Sequence, residues 1–197
     1  MEKDHSKKKK HKNLFTEYFR WPLIVLAVSL LLSFSFSFFS ELALNDANLI
    51  IAIIVIFVFM IISIITDAIG VAVTAAVEIP FRAMAAKKVK GSKESIILIN
   101  NADKVASIIA DILGDICGIL SGAAGAVVTA KLISGMTNEM NVIMIASLVS
   151  AIIASIIIFG KAMGKRIALD NCDKIVLMLG KIVYVFTFGK LSLKNKN

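Results

Sequence analysis

Long apolar runs alternate with short polar segments along this chain, and four of the runs are long enough to cross a bilayer. They cover residues 21–40, 49–66, 104–131 and 142–160. About 20 apolar residues in a helix span the hydrocarbon layer. The pattern therefore predicts an all-α polytopic integral membrane protein with four transmembrane helices.

The third run differs from the others because it carries two carboxylates, Asp111 and Asp115, four residues apart and therefore on one helical face. Gly114, Gly118 and Gly122 recur at every fourth position on a neighbouring stripe. Small residues at this spacing allow another helix to approach closely, either from the same chain or from a second copy. We therefore predict that this helix is the centre of the bundle.

The two carboxylates allow two interpretations. A carboxylate within a membrane segment is costly and usually faces a bundle interior or a water-filled path, so Asp111 and Asp115 are candidate cation ligands or proton carriers. Alternatively they form ion pairs or hydrogen bonds with neighbouring helices, and Lys161 near Asp115 is the candidate partner. The residues alone leave both interpretations open.

Polar segments complete the organisation of the chain. Residues 82–104 form a polar connector, in which the pattern predicts a short surface helix from Phe81 to Val89. Residues 172–193 are apolar but interrupted by lysines, which favours an amphipathic helix at the membrane interface over a fifth crossing. Residues 1–20 form a basic arm, and the run that follows favours a retained first helix over a signal peptide.

Composition supports the membrane class. Of the 197 residues, 58% are hydrophobic and the mean hydropathy is +0.85, which few soluble domains reach. The predicted organisation is therefore the arm at 1–20 and one membrane domain at 21–197. The net charge of +8 is concentrated at the ends of the apolar runs, which favours anionic lipid headgroups over nucleic acid as the partner.

The distribution of basic residues predicts the topology. The segments 41–48 and 134–141 contain no Lys or Arg, whereas the arm, the connector and the C-terminal tail contain nearly all of them. By the positive-inside rule, both termini are cytoplasmic and the protein is a multi-pass protein of the cell membrane.

Three segments resemble the membrane domain of the cyclin-M/CorC magnesium transporters. Residues 159–175 (FGKAMGKRIALDNCDKI) resemble the end of that family's last membrane helix, and residues 80–88 (PFRAMAAKK) resemble the basic helix after its first core helix. Leu113-Gly114-Asp115 resembles the Gly-Asn step of its middle helix. The likeness covers roughly residues 50–185, and the predicted core of the membrane domain is about 49–185.

This resemblance implies a three-helix core, preceded here by one added helix, and a homodimer. It also implies transport of magnesium, and possibly cobalt, through oxygen ligands between the helices. We expect the chain to lack the cytoplasmic nucleotide-sensing domains of the family. The candidate metal ligands are the hydroxyl and carboxylate residues near the matching motifs, namely Ser63, Thr66, Asp67, Asp111 and Asp115.

Two departures from the family pattern define an alternative. Lys161 occupies the position of a family glutamate, and Asp115 that of an asparagine. An ammonium group from Lys161 can therefore replace the bound ion, which would make the chain a non-transporting structural or regulatory membrane protein. We expect no enzymatic activity and no organic cofactor, since the sequence contains no nucleophile–base pair, phosphate loop or metalloprotease motif.

Overall fold

The computed structural model describes residues 22–40, 42 and 48–187, and all regular structure in this part of the chain is helical. This confirms the all-α class. The helices, in chain order, are α1 (Pro22–Ser40), α2 (Leu49–Ala75), α3 (Glu78–Ala86), α4 (Ser92–Asn100), α5 (Ala102–Ile133), α6 (Glu139–Asp170) and α7 (Cys172–Phe186).

Four of these helices, α1, α2, α5 and α6, are long and apolar enough to cross a membrane, judged by length and composition. They correspond to the four predicted runs. α6 is longer than its predicted run at 142–160, because the helix continues through the basic residues Lys161, Lys165 and Arg166 to Asp170. The basic arm at 1–20 lies outside the described residues.

The helix with the most extensive contacts is α2, which packs against α5, α6 and α7. Towards its N-terminal end, Ala52, Ile56 and Met60 form a buried cluster with residues of α5 and α6. The prediction that the 104–131 helix is the centre of the bundle was therefore incomplete. α5 provides one of the surfaces that pack against α2.

The C-terminal end of α2 is surrounded by the three short helices. A second buried cluster combines Ala72 and Val73 of α2 with Phe81 of α3, Ala168 of α6 and Val176 of α7. Phe81 has no exposed surface, and its burial fixes α3 against the bundle. Residues 82–104, predicted as a connector with one short helix, instead form most of α3, all of α4 and the start of α5.

α3 begins after α2 ends at Ala75, and Pro80 lies in its first turn. A proline is tolerated there because the first N–H groups of a helix have no partner within the helix. Pro80 therefore belongs to a new helix and does not bend α2.

α7 confirms the predicted helix after residue 172, although residues 188–193 lie outside the described part. At 15 residues it is too short to be a further candidate span. One face packs on α4, where Ser95 Oγ donates a hydrogen bond to the carbonyl oxygen of Val176 at 3.0 Å. Its predicted position at a membrane interface remains a prediction.

Candidate functional site

An ion pair joins α6 to α5 at the residues that the sequence singled out. Lys161 Nζ donates a hydrogen bond to Asp115 Oδ1 at 3.0 Å. The side chain of Lys161 is 22% exposed and that of Asp115 is 66% exposed. Two interpretations of Asp115 were open, an ion ligand or a partner in an ion pair. In the structure Asp115 forms the ion pair with Lys161.

A second ion pair, one helical turn further along α6, was not predicted. Lys165 Nζ lies 3.5 Å from Asp67 Oδ2 on α2. The Oδ2 atom is buried and accepts no hydrogen bond, so the contact is electrostatic and lacks hydrogen-bond geometry. The sequence did contain a signal for this second pair. Lys161 and Lys165 are four residues apart and therefore lie on the same face of one helix.

The hydroxyl groups of α2 lie at its crossing with α5. Ser63 is fully buried, and its Oγ donates a hydrogen bond to the carbonyl oxygen of Gly114 at 2.6 Å. Thr66 Oγ1 lies close to the carbonyl oxygens of Ile62 and Ser63, at 2.8 and 3.0 Å. Both hydroxyls therefore already have backbone acceptors.

The glycine stripe of α5 divides into two parts. A Cβ atom on Gly114 would lie 3.0 Å from Thr66 Oγ1, and one on Gly118 would lie 3.4 Å from Ser63 Oγ. These two glycines therefore allow the close approach of α2, as the small-residue spacing predicts. Gly122 is exposed and has no heavy atom within 4 Å of its Cβ position, so it does not contribute to this crossing.

The crossing coincides with an irregularity in α5. Residues Ser107–Gly114 form a π-helical segment that ends at the glycine whose carbonyl binds Ser63. π-helical turns are frequent at functional sites. Asp111 lies within this segment and its side chain is exposed. The π-helical geometry had no recognisable signal in the sequence.

The five candidate metal ligands are therefore divided among three environments. Ser63 and Thr66 lie at the α2–α5 crossing, Asp67 and Asp115 contact separate lysines, and Asp111 is exposed. Within residues 22–40, 42 and 48–187, no group of three or more His, Cys, Asp or Glu residues could hold a metal ion.

Comparison with known proteins identifies no relative of this chain. No family model, no curated protein and no solved structure matches the chain. The part of the chain that the structure describes is thus defined only as a helical structure with four helices of membrane-spanning length.

Proposed function

We propose that the chain is a multi-pass membrane protein that does not transport divalent cations. In this proposal, Lys161 and Lys165 pair with Asp115 and Asp67, the carboxylates that would otherwise bind the ion. The contact between Lys161 Nζ and Asp115 Oδ1, at 3.0 Å, carries this proposal. Its role is then structural or regulatory, because the charged groups connect α6 to its two neighbours.

The chemistry of magnesium supports this choice. Mg²⁺ requires a near-octahedral shell of oxygen ligands at about 2.0–2.1 Å and gives up its water reluctantly. A charged ammonium group a few ångströms from a divalent cation repels it by an energy on the order of several kcal/mol. The second lysine, against Asp67, adds to this repulsion.

The test compares magnesium binding in the natural protein and in Lys161→Glu, which restores a carboxylate at this position. We expect calorimetry to detect no binding in the natural protein and clear binding in the variant, since one positive charge is removed and one negative charge is added. Lys174→Glu makes the same change of charge on α7, where Lys174 Nζ binds Asn171 Oδ1. This control should bind no more magnesium than the natural protein.

Divalent cation transport is the second candidate, and one observation favours it. The side chains of Asp111 and Asp115 lie four residues apart on α5 and are both exposed, so neither carboxylate is closed off from an approaching ion. Reconstitution into vesicles that contain a magnesium-sensitive dye separates the two candidates. Flux above that of empty vesicles, lost in Asp115→Asn, would contradict the first proposal and support transport.

Membrane insertion with both termini in the cytoplasm is part of the proposal. The exposed apolar side chains of α1 and α6 support it, since most residues in the apolar stretch of each helix are exposed. Such large apolar surfaces are typical of contact with lipid or with another protein.

Cysteine labelling on intact cells measures the topology. In a variant with Cys117→Ala and Cys172→Ala, we expect Asn138→Cys to react with an impermeant maleimide from outside. Lys90→Cys should react only after permeabilisation, because α5 separates the two positions and both side chains are exposed. Reaction of both positions from the same side would show that α5 does not cross.

A further inference from the structure

A cavity of about 350 Å³ lies beside the short helices, and no residue of the two ion pairs lines it. Its wall includes the α3–α4 loop, the first turn of α4 and Tyr184 of α7. Three exposed lysines, Lys88, Lys90 and Lys93, contribute to the wall. The volume falls within the range of sites for small ligands, about 300–1,000 Å³.

Two residues with positive φ shape the loop. Lys88 has φ +58° and Gly91 has φ +87°, and a positive φ is uncommon for a residue other than glycine. Hydrogen bonds hold this conformation, from Val89 N–H to the Met84 carbonyl at 3.0 Å and from Ser92 Oγ to the Val89 carbonyl at 2.6 Å. The loop thus presents its lysines from a defined backbone.

The cavity wall also contains a buried carboxylate. Glu94 is 2% exposed, and its Oε1 atom has no hydrogen-bond partner in the structure. A buried carboxylate oxygen without a donor is unfavourable, because it has lost its hydrogen bonds to water and gained none in exchange. A ligand that brings an N–H donor with a positive charge would complete this group.

The cavity wall therefore contains groups of opposite charge, the lysines and the carboxylate of Glu94. The lysines attract a phosphate, whereas Glu94 attracts an ammonium group. The first turn of α4, a nine-residue helix with no side-chain cap, adds a partial positive charge to the wall, and Glu94 lies in this turn. A ligand with a phosphate and an amine a few bonds apart satisfies both groups.

The position of the cavity along α2 points to a lipid as the source of this ligand. The 27 residues of α2 extend for about 40 Å, whereas the hydrocarbon layer is about 30 Å thick. The end of α2, with the short helices around it, therefore falls among the headgroups. Beside Tyr184, the side chains of Val185 and Phe186 are 69% and 82% exposed, as expected for contact with acyl chains.

We propose that this cavity binds the headgroup of a phospholipid with a primary amine, with the ammonium at Glu94 and the phosphate between Lys88 and Lys90. The proposal rests on the membrane placement proposed above but not on the absence of transport. The lipid would thereby link α3, α4 and α7 at the membrane surface.

The first experiment uses the natural full-length protein in detergent and counts bound lipids by native mass spectrometry. The probes are phosphatidylethanolamine, its N-monomethyl and N,N-dimethyl forms, and phosphatidylcholine. We expect retention to fall by about tenfold across the series, since each methyl group removes an N–H donor and the loss of a charged hydrogen bond has an effect of this size. Equal retention of all four lipids would overturn the proposal.

Variants assign the selectivity to the cavity. Glu94→Gln should abolish the preference for phosphatidylethanolamine while total lipid binding continues, and Lys88→Met with Lys90→Met should weaken binding of all four lipids. Lys174→Met is the matched control for a lysine outside the cavity, and it should change neither quantity. A preference that persists in folded Glu94→Gln would overturn the assignment, and if this variant does not fold, the methylation series in the natural protein decides.

A final arm separates a lipid from a soluble ligand. Free phosphoethanolamine has the same charged groups without acyl chains. We expect it to displace the lipid only at concentrations far above those of the lipid. Displacement at equal concentrations would show that the cavity binds a soluble phosphate ester and would overturn the lipid assignment, whereas the labelling experiment above tests membrane placement separately.

Discussion

Replacing Gly180 with alanine is expected to displace α7 from α4 and to lower the free energy of unfolding by about 3 kcal/mol, near the upper end for overpacked sites. A Cβ atom at this position would collide with Ser95 Oγ and with the carbonyl oxygen of Gly91, and it would lie 3.0 Å from the backbone nitrogen of Ser95. Backbone atoms cannot rotate away as a side chain can. The whole helix must therefore move.

Thermal unfolding followed by circular dichroism in detergent measures this effect. Gly122→Ala is the matched control, because Gly122 is also a helical glycine but its Cβ position has open space around it. Alanine has the higher helix propensity, so the control should unfold at the same temperature or slightly above the natural protein. Equal unfolding temperatures for Gly180→Ala and Gly122→Ala would contradict the close contact between α7 and α4.

The second large effect is expected from Lys165→Met, which leaves Asp67 without its positive neighbour. The side chain of Asp67 is 14% exposed, and its buried Oδ2 has no hydrogen bond, so the remaining charge is poorly compensated. Removal of one partner from a fully buried pair costs about 3–5 kcal/mol. Lys165 is half exposed, and screening by water reduces the expected loss to about 2 kcal/mol.

A double-mutant cycle tests whether the loss comes from the charge. Asp67→Asn in the Lys165→Met background should recover most of the lost stability, because the uncompensated charge is then absent. Arg82→Met is the control, since Arg82 forms an exposed pair with Glu78 four residues earlier and its hydrogen bond lowers the pKa of that carboxyl. This exposed pair should contribute little, and no recovery in the double variant would rule out the electrostatic explanation.

The four long helices could be predicted from sequence because each is a local property of the chain. A run of apolar residues such as 142–160 is helical and excludes charge wherever it lies, so its existence needs no knowledge of its neighbours. The pairing of Lys161 with Asp115 was also predictable as one of two alternatives, since charges within apolar segments normally have partners.

The arrangement of these helices was decided by the tertiary structure. An apolar helix such as α2 has similar residues on all sides, so its sequence does not indicate which face meets α5 or that α2 lies at the centre. The pairing of Lys165 with Asp67, the π-helical segment before Asp115 and the burial of Glu94 depend on contacts between segments far apart in the chain. The sequence by itself determined the four apolar helices, the basic clusters and the position of the acids in the third run. Only packing decided that Lys165 meets Asp67 and which helix faces are in contact, because helices of uniform hydrophobicity can associate in several rotations and side-chain contacts select one.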